Sequence, residues 1–141
     1  MQIVSIGNSY IPANKPLFAG KEKIVPTTQS WNELRVFFHH IYEYKKGLRN
    51  LILTTEKKTN QEIIENRLKK ENISYLIQEV DNKKINVFFG NKDSVAVIKS
   101  FNQPKLNQYT PEQDFILGTL LGYDKIQQCQ RYLKFINTNN W

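Results

Sequence analysis

The residues able to do chemistry are few and scattered. His39 and His40 are the only histidines and Cys129 the only cysteine, while the carboxylates Glu43, Glu62, Glu65, Asp93, Glu112 and Asp114 are spread along the chain. Adjacent residues on a helix point about 100° apart, so His39 and His40 cannot grip one ion from a single helical face. There is no Gly-rich phosphate loop, no Cys-x-x-Cys pair and no His-Glu-x-x-His motif. The usual sequence signatures of nucleotide binding, structural zinc and zinc hydrolysis are therefore missing. The carboxylates are accounted for by solvation, ion pairing and helix capping, His39 and His40 by surface or interfacial positions, and Cys129 as a small core hydrophobe. On this reading the protein has no catalytic residues, no metal and no cofactor.

What remains is a basic knot. Lys45, Lys46 and Arg49, with Lys57 and Lys58, gather near Tyr42 and His39 in a chain whose net charge is +7. A basic domain favours an acidic partner. The first expectation is an accessory protein whose basic face docks on an acidic protein, with Tyr42 and His39 as anchors. The alternative is a nucleic-acid or anionic-ligand module, in which the same cations track phosphates and the rings stack on bases. The two differ in their test, because a nucleic-acid binder loses affinity steeply with salt on oligonucleotides generally.

The knot has to be positioned by the elements around it. Residues 30–55 read as a helix over 31–46 followed by a strand over 48–55. Read at 100° per residue, Trp31, Leu34, Phe37, Phe38, Ile41, Tyr42 and Tyr44 fall on one arc, opposite Asn32, Arg35, His39, Glu43 and Lys46. Ser30 and Glu33 suggest a capping box, and Gly47 a left-handed stop. Downstream, Thr59 and Glu62 suggest a second box, opening a helix with Ile63, Ile64 and Leu68 inward. A strand over 74–80 turns at Asp81, Asn82 and Lys83, residues that tolerate left-handed angles, into a strand over 84–89. That strand ends Val87-Phe88-Phe89, apolar on both sides, as a central strand is when layers cover it.

A helix over 92–101 turns Val95, Ile98 and Phe101 inward. Thr110, Pro111 and Gln113 then open another whose packing face is Phe115, Ile116, Thr119 and Leu120. Asp124 caps the last helix, with Ile126, Cys129, Leu133 and Ile136 as its inward stripe. The expected class is α+β: a β-α-β-β-α core with the third strand between the first two, as in a split β-α-β sandwich, covered by helices on one face. Five helices and three strands are expected in one domain over residues 30–141. Residues 1–29, rich in Pro and Gly, read as an extension that either orders, with 2–6 as an edge strand, or does not. No apolar run reaches the roughly 18 residues of a membrane span, the start lacks a signal-peptide pattern, and one cysteine allows no internal disulfide. Cytoplasm is the expected compartment.

Four strings, at residues 39–51, 85–90, 114–124 and 128–132, resemble a small bacterial family of uncharacterised proteins whose genes often lie beside a flavodoxin gene. The resemblance covers about residues 35–133. It implies three strands and five helices, a homodimer, and flavodoxin as the acidic partner, with no established activity.

Overall fold

The structure, a computed structural model, describes residues 27–140. The expectations for an edge strand at residues 2–6 and for the order of residues 1–26 lie outside the described residues. The elements in chain order are α1 (Thr28–Glu33), α2 (Arg35–Lys45), β1 (Leu51–Lys57), α3 (Gln61–Lys70), β2 (Ser74–Glu79), β3 (Lys84–Gly90), α4 (Lys92–Ser100), α5 (Pro111–Leu120) and α6 (Lys125–Asn140). Short 3₁₀ turns precede α3 at Lys58–Asn60 and α5 at Leu106–Gln108.

The class is α+β, and the sheet has the expected order, β1-β3-β2, with both pairs antiparallel. β3 is central, with Ile85 to Gly90 all buried, as its two-sided apolar ending required. The helices do not share one face, however. Ile52, Ile85, Val87 and Phe89 meet Leu34, Phe37 and Ile41 from the α1–α2 segment and Ile64 and Leu68 of α3. Leu51 and Phe88 meet Val95 and Ile98 of α4 and, from the α5 end, Leu117 and Leu121. Because the pleat sends successive residues to opposite faces, an apolar run such as Phe88-Phe89 needs a cover on each side. Fully burying one such ring contributes about 1.5–3 kcal/mol.

The single first helix of the expectation is two. The side chain of Thr27, not Ser30, caps α1 by accepting from the Ser30 N–H, and the chain leaves helical angles at Leu34 (φ −99°, ψ 8°). Leu34 is fully buried at this bend. Glu33 does not reach back as a capping-box partner. It instead accepts from Lys57 at 2.6 Å and Asn60 at 2.9 Å, tying α1 to the end of β1. Likewise Thr59 caps nothing: it lies in the 3₁₀ turn, and Asn60 stands at the N-cap of α3 without a side-chain bond.

Other local signals hold. Thr110 and Gln113 form the reciprocal capping box of α5, with Pro111 at its start. Asp124 accepts from the Gln127 N–H at 2.9 Å. Gly47 takes φ +77° after α2. The β2–β3 turn is made differently from the expectation, since none of its residues has positive φ. The Asp81 carboxylate instead accepts the Lys83 and Lys84 N–H groups at 2.8 and 2.9 Å.

α5 and α6 pack through sides that only partly match the expectation: of the four residues expected to face inward from α5, Phe115 and Leu120 are half-buried. α5 buries Leu117 and Gly118 and leaves Ile116 exposed. α6 packs on α5 through Gln128, which is buried, through Arg131 paired with Asp114 at 2.8 Å, and through Tyr132 edge-on to Phe115 at 5.7 Å. Three of the four residues of its expected stripe face outward: Ile126 is 68% and Leu133 52% exposed, and Cys129 is exposed too, whereas Ile136 is half-buried. Gly118 explains the choice, because a Cβ there would collide with the Gln128 side chain, so α6 seats Gln128 against the one position on α5 without a side chain.

Candidate protein-docking face

α2 presents the residues of the basic knot, and its position over the first sheet face decides which of them meet. The arc expected to be buried is split. Phe37 and Ile41 go into the core, whereas Trp31 and Tyr42 stand 50% and 54% exposed. Trp31 packs on Phe38 with ring centres 4.7 Å apart, and His39 stacks near Tyr42 at 6.1 Å and 21°. Val36, also outward, is 61% exposed. The outer sides of α1 and α2 thus expose separate aromatic and aliphatic side chains.

Between α2 and α3 lies an open cleft of about 410 Å³, lined by Phe38, Ile41, Tyr42, Lys45, Lys46, Arg67 and Glu71. Lys46 sits 5.5 Å from the Tyr42 ring centre, and the Arg67 guanidinium 4.9 Å from that of Phe38. Glu71 accepts from Lys45 at 2.6 Å and from Arg67 at 2.8 Å. Those two hydrogen bonds, Lys45 first, hold its carboxyl below the ordinary range. Three cations against one carboxylate leave the cleft with an excess of two positive charges on an aromatic floor.

Arg49 sits behind this cleft. Its guanidinium lies 3.8 Å from Glu43 and 3.5 Å from the His40 Nδ1, which itself hydrogen-bonds Glu43 at 3.1 Å. The His40 bond comes first among the causes that lower the Glu43 carboxyl. On the neighbouring strand, burial raises the Glu56 carboxyl against the opposing effects of the Thr54 hydroxyl and the charge of His40. Lys57 and Lys58 are not part of this group. They lie at the far end of β1, roughly 20 Å away at the usual rise per strand residue, with Lys57 on Glu33 and Lys58 on Glu79.

The structure therefore brings together Tyr42, His39, Lys45 and Lys46, places Arg49 beside them in an internal network, and puts Lys57 and Lys58 elsewhere. Sequence reasoning missed Phe38 and Arg67 as members of the cleft. The i, i+4 spacing of Arg67 and Glu71 was the available signal, since such a pair fixes a guanidinium on one helical face. Among the described residues no group of three or more His, Cys, Asp or Glu is placed to hold a metal ion, and no helix is long and apolar enough to cross a membrane. What the cleft offers is recognition: fixed cations beside flat rings, suited to carboxylates or phosphates presented on a surface.

Fold and cleft together define an α+β domain, a three-stranded antiparallel sheet between helical layers with a basic, aromatic cleft on one side. The chain belongs to the family described as Protein of unknown function (DUF2023), whose model matches residues 35–135. That match spans α2 through most of α6 and includes every residue of the cleft. No curated protein matches the chain.

Proposed function

We propose that this protein is an interaction module that docks on an acidic protein through the α2–α3 cleft and the outer face of α2, and that flavodoxin is the partner to test first. The observation that supports this reading is the juxtaposition of uncompensated charge with exposed rings. Lys45, Lys46 and Arg67 outnumber Glu71, while Tyr42 beside them and Trp31, packed on Phe38, stay exposed. Docking surfaces use this combination: Tyr, Trp and Arg anchors supply affinity once desolvated, and fixed charge of one sign steers the encounter. Lys57 and Lys58, each paired with a carboxylate, lie outside this contact.

The test is calorimetric titration of the protein with an acidic flavodoxin at low ionic strength, run beside single-stranded DNA of the same concentration. Saturable heat with flavodoxin alone supports docking. Saturable heat with DNA alone supports the nucleic-acid alternative, in which Tyr42 stacks on bases. No heat with either ends both readings.

Self-association is a second part of the proposal, favoured by the outward stripe of α6. Ile126, Cys129 and Leu133 form an apolar strip on solvent, and a second copy would cover it in a homodimer. Sedimentation equilibrium checks this: a dimer that Leu133→Glu converts to monomer agrees, and a monomer at all concentrations does not.

A further inference from the structure

The second sheet edge carries a feature that the α2–α3 cleft does not explain. Among the described residues β2 pairs on one side only. The Val80 N–H donates to Lys84 at the turn, so by the alternation of an antiparallel ladder Gln78, Leu76 and Ser74 point their backbone groups at β3. The N–H and C=O groups of Tyr75, Ile77 and Glu79 therefore point outward. A groove of about 630 Å³ touches four consecutive residues, Leu76 to Glu79. Successive residues face opposite sides of a sheet, so a groove that touches all four must run along the strand edge.

The far wall of this groove is the end of α4 and the loop after it, with Ile98, Lys99, Gln103, Pro104 and Lys105. Pro104 has no N–H to give the strand. Gln78 is only 8% exposed and spans the gap, its Nε2 donating to the Gln103 carbonyl at 2.7 Å. Its Oε1 is buried without a hydrogen-bond partner, as is the Tyr109 hydroxyl. A buried acceptor left unpaired costs on the order of 1–3 kcal/mol, so such atoms mark places where a donor belongs. Exposed Lys99 and Lys105 stand on the rim, and Lys58 neutralises Glu79, so the groove is positive overall.

We propose that the β2 edge binds an extended acidic segment of another protein as a fourth strand. Its backbone pairs with the outward groups of Ile77 and Glu79. One apolar side chain fills the space between Leu76, Ile98 and Pro104, and the loop shifts so that a segment N–H reaches the Gln78 Oε1. Acidic side chains on the segment meet Lys99 and Lys105. Strand addition supplies affinity through the main chain and selectivity through alternate side chains, and here the selectivity is for carboxylates. This inference does not rest on the α2–α3 cleft.

The experiment is an amide chemical-shift titration of the isotope-labelled full chain with the peptide Asp-Val-Glu-Val-Asp, and separately with Lys-Val-Lys-Val-Lys. Saturable shifts with the acidic peptide at Tyr75, Ile77, Glu79 and the Gln78 side-chain amide are expected, and Lys105→Glu weakens binding roughly tenfold, as reversal of an interfacial charge does. The proposal is overturned by absence of saturable shifts into the millimolar range, by equal binding of the basic peptide, or by shifts confined to α2 and α3. It is also overturned if the outward β2 amides are already protected from hydrogen exchange before peptide is added, because the chain's own residues 1–26 or a second copy then hold the edge.

Discussion

The guanidinium of Arg67 on α3 lies over the ring of Phe38 on α2, 4.9 Å from its centre, while its Nε donates to Glu71 at 2.8 Å. One side chain thus joins two helices, fixes a carboxylate and floors the cleft. Glu71 in turn holds Lys45, so the positions of all the cleft cations except Lys46 depend on this one contact.

Replacing Arg67 by Ala should cost about 1 kcal/mol of stability, the sum of a part-exposed cation–π contact and a part-exposed ion pair. Arg67→Lys should recover less than half, because an ammonium keeps the charge but not the planar stacking. Chemical denaturation with a common slope measures both.

Gly90 ends β3 at φ +145°, where an added Cβ would run into the backbone carbonyl of Asn50. Backbone cannot move aside as a side-chain tip can. Gly90→Ala should therefore destabilise by on the order of 3 kcal/mol. Gly47→Ala, at φ +77° with open space around it, should cost only about 1 kcal/mol. Equal losses at the two sites would contradict the close approach of Asn50.

The largest shifts among the carboxyls and the phenols, at Glu33 and Tyr75, act on stability at opposite ends of the pH range. The Glu33 carboxyl, hydrogen-bonded first by Lys57 and then by Asn60, is lowered from 4.5 to about 2. A depressed carboxyl stabilises the fold above its unfolded value, and that contribution is lost as pH falls from 4.5 toward 2. Tyr75, desolvated and donating to Glu65 at 2.8 Å, is pushed up from 10.0 to about 12. Its contribution is intact below pH 10 and is lost as pH rises toward 12. Glu33→Gln should flatten the acid limb of a stability profile and leave the alkaline limb alone; Tyr75→Phe should do the reverse.

Cys129 faces solvent on α6. In dilute folded protein it should react with a thiol reagent at nearly the rate of the unfolded chain, and Cys129→Ser should change stability by less than about 0.5 kcal/mol. Slow labelling limited by global unfolding would restore the inward orientation that the sequence pattern suggested. Protection that appears only at high protein concentration would instead report association through α6.

The sheet was readable because its signal is redundant. Val87-Phe88-Phe89 marked β3 as central, although the expected cover of helices on one face fell short of the two layers that such a run requires, and Gly90 with the Asp81 turn fixed its ends. Helix starts with a proline or a reciprocal pair, as at Thr110 to Gln113, were equally plain. The misassignments share a cause: the choice between competing partners is tertiary. Glu33 had the wording of a capping box but found Lys57 and Asn60. The apolar residues of α5 all lie in its second half and point to several sides, so periodicity could not say which side met the sheet. α6 turned Gln128 inward because Gly118 left room for it, against a more hydrophobic stripe one turn away. In the cleft, Tyr42, Lys45 and Lys46 were legible from one helix, whereas Arg67 belongs to another helix and became visible only once α3 was laid beside α2. Lys57 and Lys58 seemed close to the knot in sequence, yet a full strand separates them from it.

The central claim is that the cations of the α2–α3 cleft carry the docking of an acidic protein. The most direct measurement is the affinity for flavodoxin of the unaltered protein and of a Lys46→Glu, Arg67→Glu double variant, each across a range of salt concentrations. The account predicts binding at low salt that weakens as salt screens it, and a loss of at least roughly a hundredfold in the folded double variant, with a flatter salt dependence. Equal affinity and equal salt dependence for the two proteins would contradict it.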